Sequence, residues 1–190
     1  MHAPLPSHPI SALSAFDEED RELLNAIVET PKGSRNKFDF DEKRGLIVLG
    51  GVLPAGAVFP FDFGFIPGTL GEDGDPLDVV VLTDEGAVAV PGCLVSVRLL
   101  GGIEAEQTEG EGEKPQRNDR LIGVMANSRQ YQELRALDEV PGEIVADIEH
   151  FFRSYNQAKG KEFRSMNRCG PERARTLVEA GIRLREQEGR

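Results

Sequence analysis

The sequence predicts a mainly β fold with flanking helices, an α+β domain built on a small barrel or sandwich, and three observations carry that expectation. Six short β-favouring segments occur at 26–29, 37–41, 46–49, 78–82, 94–100 and 120–125. Clusters of turn formers separate them, such as Thr30-Pro-Lys-Gly-Ser34 and Gly71-Glu-Asp-Gly-Asp75, in a chain holding 21 Gly and 12 Pro. Beyond Met125 the apolar period lengthens from that of a strand to that of a helix. Many short strands at this spacing indicate a barrel or sandwich rather than βαβ units. The helices then pack outside.

Taken in order, residues 1–16 are rich in Pro, Ser, His and Ala and show no period, and 17–25 are charged enough for a helical turn. The expected organisation is a flexible tail over 1–22 and one domain over 23–190. Phe59, Phe61, Phe63 and Phe65 alternate at strand spacing and so share one face. Gly50-Gly51 suits a tight bend or bulge, because no Lys-Ser/Thr follows to make a phosphate cradle. Residues 104–118, acidic and Gly-rich around Glu109-Gly-Glu-Gly-Glu113, predict a mobile hairpin excursion. Over 143–155, Ile144, Ile148, Phe151, Phe152 and Tyr155 fall at helical spacing and form an apolar stripe able to cover a barrel. His150 lies beside that stripe and reads as a surface residue. Pro171 fits the first turn of a second helix over 172–185.

Charge and composition narrow the partners. A net charge of −11 argues against a nucleic-acid binder, which needs a basic face for phosphates. No run of 18 apolar residues predicts a membrane span, and the N-terminal residues do not have the pattern of a secretory signal. Cys93 and Cys169 lack metal-ligand spacing and read as unpaired thiols of a cytoplasmic protein.

The chemistry concentrates in Asp73-Gly-Asp75-Pro-Leu-Asp78, which leads into the apolar run Val79-Val-Val-Leu82. Three carboxylates within six residues repel one another, and entry into a buried strand adds a desolvation cost that a cation would relieve. Mg²⁺ suits such a loop, since it takes a few carboxylates and fills its remaining positions with water and substrate phosphate oxygens. The plainer alternative is a turn whose Asp side chains bond their own backbone. An acidic protein acting on an anionic phosphate compound needs a bridging divalent metal.

Together, Glu29, Lys37-Phe-Asp39, Phe59-Pro-Phe-Asp-Phe-Gly-Phe65, Gly74-Asp-Pro-Leu-Asp78 and His150-Phe-Phe-Arg-Ser-Tyr155 resemble the soluble family I inorganic pyrophosphatases in order and rough spacing. The similarity runs over about 28–161. It implies an OB-like five-stranded β-barrel flanked by helices, and Mg²⁺-dependent hydrolysis of pyrophosphate to two phosphates. Carried over by position, Asp73 and Asp78 would ligate activating Mg²⁺, with Glu29 and Asp39 holding further metal. Asp75 would stand beside the nucleophilic water as base. Lys37, Arg120 and Tyr155 would contact phosphate oxygens. The Lys159-Gly-Lys161 segment reads either as a solvated helix end or as a further phosphate contact through Lys161. The resemblance also implies a homo-oligomer, with a hexamer plausible.

Departures from that pattern are specific. Asp39 stands where the family usually has Glu, and Phe59 and Phe63 replace two tyrosines. Gly51 falls on the position of a phosphate-clamping Arg, and Asn156 on that of a Lys. The acidic pair that closes the metal site falls within the excursion, where Asn118 aligns best and Asp119, Glu106 and Gln107 are neighbours. These changes admit a clamp rebuilt from Arg35, Arg44, Arg117 or Lys161. They also admit a catalytically weak relative that binds phosphate or nucleotide compounds as a regulatory or interaction module.

Overall fold

The computed structural model describes residues 9–87, 89–108, 110 and 113–188. Strand β1 (Leu23–Thr30) pairs antiparallel with β4 (Asp62–Phe65), which pairs with β5 (Asp78–Leu82). Strand β5 runs parallel to β8 (Arg120–Met125), β8 pairs antiparallel with β6 (Leu94–Thr108), and β6 returns to β1. The five strands therefore close on themselves, an OB-like barrel that leaves no open edge along the ring. The close approach of β1 and β4 depends on Gly64, where a Cβ would lie 1.8 Å from the carbonyl oxygen of Ile27.

A separate hairpin, β2 (Asn36–Asp41) with β3 (Leu46–Val52), projects from β1. Thr30 Oγ1 anchors it, accepting from the Phe38 N–H at 3.0 Å and donating to the Phe38 carbonyl at 3.2 Å. Asp62, 1% exposed, accepts from the Lys32 N–H and the Thr83 hydroxyl and so fastens the turn ahead of the hairpin.

The sheet is apolar on both faces, as the unbroken Val79-Val-Val-Leu82 run demands. Val79 and Val81 pack with Leu121, Ala174 and Val178, under helix α2 (Pro171–Glu188). Val80 and Leu82 pack with Ile122, Val145, Ile148 and Phe152, under α1 (Gly142–Gln157). Both helices match the expected stripes and run a few residues beyond them. No helix among the described residues is long and apolar enough to cross a membrane. Cys93 and Cys169 are free thiols.

Three expectations need correction. The tail does not extend to residue 22. Ala15 and Phe16 are buried, the Asn25 side-chain amide donates to the Ser14 carbonyl at 3.0 Å, and Arg175 lies over the Phe16 ring; residues 1–8 lie outside the described residues. The helical turn over 17–25 is instead a bend held by Asp17, whose carboxylate accepts from the N–H groups of Glu19 and Asp20, after which β1 begins.

The third is the extent of the excursion over 104–118, which does form a hairpin but is sheet over its first residues. Its first residues continue β6, and 102–108 pair with β9 (Glu162–Cys169). A short strand β7 (Gln116–Arg117) returns beside Glu106 and Gln107. Glu109, Glu111 and Gly112 lie outside the described residues. Strand β9 escaped notice because Glu-Phe-Arg-Ser-Met-Asn-Arg-Cys holds no β-branched residue and only two buried positions. Its pairing partner makes it a strand.

Candidate active site

A cleft of about 210 Å³ opens where the loop before β5, the hairpin strand β2 and the C-terminal end of α1 meet. The loop is built to hold its carboxylates in a tight bend. The Gly71 N–H donates to the Asp75 carbonyl at 2.7 Å, and Gly74 takes a φ of +90° that a side chain would strain. Asp73 Oδ1 accepts from the Asp75 N–H at 3.2 Å. Asp73 thus bonds its own loop, as an ordinary Asx turn does, and lines the cleft with Asp75 and Asp78 as well. The plainer expectation, a turn bonded to its own backbone, is therefore met at Asp73, and the same bend leaves all three carboxylates on the cleft wall.

Strand pairing supplies the cations. Asp78 and Arg120 are register partners at the starts of the parallel strands β5 and β8, and Arg120 Nη1 reaches Asp78 Oδ2 at 2.6 Å. Arg120 is 4% exposed, with its guanidinium over the rings of Phe152 and Phe163 at 4.7 and 5.4 Å. It also donates to the side-chain oxygen of Asn118 and the carbonyl of Asp119. Lys37 Nζ donates to Asp39 and lies 3.8 Å from Glu29 Oε2, over the face of Phe63. Glu29 Oε1 accepts from the Phe40 N–H at 2.6 Å, tying β1 to the hairpin through the site itself.

Burial dominates the electrostatics. Desolvation pushes the Glu29 carboxyl up to about 7, against the pull of Lys37 and the Phe40 N–H. Desolvation likewise raises Asp78 to about 6, with Arg120 and Lys37 opposing and Asp73 and Asp75 adding repulsion. Lys37 is held above its ordinary value: burial works to lower it, but Glu29, Asp39 and Asp78 prevail. In both groups the cost of burial outweighs the pull of the neighbouring cations. Five carboxyl groups line the cleft against four cationic side chains, so a polyanion entering it meets no surplus of protein cations.

Two buried polar atoms beside the cleft are left unsatisfied. The Tyr155 hydroxyl and Arg120 Nε have no hydrogen-bond partner among the described residues, although buried donors are ordinarily satisfied.

The cleft gathers Glu29, Lys37, Asp39, Asp73, Asp75, Asp78, Asn118, Arg120, Tyr155 and Lys161 from the residues expected of it. It does not gather Glu106 or Asp119. Asp119 Oδ1 accepts from Arg117 Nε at 2.6 Å and from the Ala105 N–H at 2.9 Å, which turns it away from the cleft. Alternation along β6 puts Gln107, not Glu106, on the cleft wall. Of the suggested replacement cations, Arg35 bonds the Leu53 carbonyl, Arg44 pairs with Asp41, and Arg117 pairs with Glu104 and Asp119. Only Lys161 lines the cleft.

Sequence reasoning undervalued Lys159. Its ammonium lies 4.3 Å from the Tyr155 ring centroid, and it joins Lys161 on the cleft wall. The Asn156 carbonyl accepts from the N–H groups of both lysines, so the end of α1 curls to deliver them. The proximity of the Lys-Gly-Lys segment to Tyr155 was the available signal.

Comparison with known proteins agrees with this geometry. The family model described as inorganic pyrophosphatase matches residues 26–185. An inorganic pyrophosphatase of Geobacillus stearothermophilus is 33% identical over 170 residues, covering 89% of this chain and 98% of that protein. The crystal structure of the inorganic pyrophosphatase from Thermus thermophilus superposes with a TM-score of 0.81 at 32% identity, covering 93% of this chain and 98% of that one. An inorganic pyrophosphatase structure from Neisseria gonorrhoeae gives a TM-score of 0.80 at 26% identity, covering 93% and 98%.

Proposed function

Since the chain belongs to the inorganic pyrophosphatase family, we propose that this cleft hydrolyses pyrophosphate to two phosphates with magnesium as its cofactor. One observation carries the reading: the fold brings Asp73, Asp75 and Asp78 into the same cleft as Lys37 and Arg120. Carboxylates and phosphate-binding cations would not otherwise need to share one wall. The alternative of a catalytically weak binding module is not favoured, because the relatives that match over most of the chain are pyrophosphatases.

The family depends on metal, and the donors here fit hard oxygen-seeking ions. Glu29, Asp39, Asp73 and Asp78 present carboxylates, and Asn118 adds a neutral amide oxygen. Among the described residues, no three acidic, histidine or cysteine side chains converge into a closed cage. An open set of this kind suits Mg²⁺, several ions of it, completed by water and substrate oxygens. Magnesium bound there would lower the pKa of the attacking water and screen phosphate charge.

The protein's own groups divide the remaining work. Asp75, the most exposed of the three loop aspartates, orients the water and accepts its proton. Lys37 and Arg120 bind phosphate oxygens and stabilise the charge that grows as the anhydride bond breaks. Both are held by carboxylate partners before substrate arrives, so little reorganisation is needed. Tyr155, on the cleft wall between Lys37 and Lys159, serves as a further phosphate contact. Lys161 and Lys159 close the far wall.

The proposal includes a cytoplasmic location, supported by two free thiols in the chain. It includes a homo-oligomer as well, a hexamer, supported by the exposed apolar side chains of Leu46 and Leu49 on the hairpin. A phosphate-release assay tests the activity. Two phosphates per pyrophosphate should appear with Mg²⁺ and none after chelation; release unaffected by chelation refutes the metal assignment, and no release refutes the reading.

A further inference from the structure

Beside the catalytic cleft lies a second depression of about 390 Å³ whose walls are mostly apolar. Val52, Leu53, Pro54 and Ala57 form one wall, and Phe151 and Ala158 the other. The two cavities meet at Lys37, Tyr155 and Lys159, which line both. Gly51 keeps the depression open: a Cβ built there meets no atom within 4 Å. Val52 stands 58% exposed at its rim, an apolar side chain left in water beside a charged site.

Pyrophosphate is all oxygen and phosphorus and has nothing to place against this surface. A diphosphate carrying a carbon chain does. With its anhydride among the aspartates, its ester oxygen would cross the boundary set by Lys37 and Lys159, and the chain would descend onto Val52, Ala57 and Phe151. Pockets of a few hundred Å³ with apolar walls and a few polar groups at one end are typical of small-molecule sites. Resting on the pyrophosphatase reading of the cleft, we propose that the enzyme also hydrolyses diphosphate monoesters of short apolar alcohols, held by this depression.

The reaction balances without a further reactant. The oxygen of water bonds to phosphorus, and the bond from that phosphorus to the bridging oxygen breaks, its electron pair staying on the bridging oxygen. One alkyl phosphate, one inorganic phosphate and one proton result.

The test compares kcat/KM for pyrophosphate, methyl diphosphate and pentyl diphosphate in Mg²⁺, with products followed by phosphorus NMR. Full burial of a methylene is worth about a fourfold gain, so a chain in an open depression should favour pentyl over methyl diphosphate by about tenfold or more. Gly51→Leu and Ala158→Leu each fill the depression from a different wall. Both should bring pentyl diphosphate down to the methyl level and keep pyrophosphate turnover within about twofold, which also shows that the variants fold. Equal rates for the two esters, or a pentyl advantage that survives both substitutions, overturn the proposal. Pyrophosphate turnover with equal ester rates sinks this inference alone; no pyrophosphate turnover sinks the reading beneath it.

Discussion

Asp78 and Arg120 begin adjacent parallel strands as register partners, and the arginine reaches the carboxylate at 2.6 Å with its guanidinium held over Phe152. The pair is a product of strand pairing, and it fixes where a phosphate oxygen can be gripped. Stacking and a forked donor set are properties of arginine that lysine lacks. Arg120→Met should therefore lower kcat/KM for pyrophosphate by about 10²-fold or more. Arg120→Lys should recover only part of that loss. Steady-state kinetics on both variants decide the point, and full activity in Arg120→Lys would show that a point charge suffices.

Asp75 lies on the exposed side of the loop and contributes little to packing. Asp75→Asn should leave the circular dichroism spectrum and melting temperature unchanged while kcat falls about 10²–10⁴-fold. A fall in KM-limited rates alone, with kcat intact, would assign Asp75 to binding rather than proton transfer.

Asp73 differs from Asp75 in its expected readout. As a metal-holding carboxylate, Asp73→Asn should raise the Mg²⁺ concentration needed for half-maximal activity by about tenfold or more. Excess Mg²⁺ should restore much of the rate. Magnesium titrations of wild type and variant measure this directly, and an unchanged midpoint would remove Asp73 from the ligand set.

Away from the cleft, Glu104 joins β6 to α2 and β7. Burial disfavours its charge, but hydrogen bonds from Arg173, Arg117 and Asn167 outweigh that and hold the carboxyl down to about 2. A depressed carboxyl stabilises the fold fully above its unfolded value near 4.5, and that stability drains away as the pH falls toward 2. Allowing for screening through the half-exposed Arg173, the network is worth about 1–2 kcal/mol at neutral pH. Urea melts of wild type and Glu104→Gln should differ most at pH 6, and the difference should shrink below pH 4.5 and close as the pH reaches about 2. A gap independent of pH would mean the contribution is packing rather than charge.

Much of the barrel was legible because its strands carry their own evidence. The stretch 78–82 is apolar on both faces, and the helical stripe ending at Tyr155 matches the face that α1 buries over Phe59 and Phe63. Strand β9 was not legible, since Phe163 and Cys169 are its only buried residues and its hydrogen bonds to β6 define it. The short strand β4, buried at all four positions, lies within the alternating run of phenylalanines that the sequence shows at strand spacing. Among the cleft residues, those grouped in motifs were found, whereas Asp119 lies outside the cleft because, in the short connection between β7 and β8, its carboxylate is taken by the Ala105 N–H and Arg117, a contact no local pattern announces.

The chain's own order of residues determined a β-rich domain with a carboxylate turn leading into an apolar strand, for turn propensity, hydrophobic period and charge spacing are local quantities. Only the closed barrel decided that Arg120 meets Asp78 and that Gln107 faces the cleft while Glu106 does not. Those outcomes depend on register between strands far apart in the chain, where a shift of one residue reverses the side on which every side chain lies.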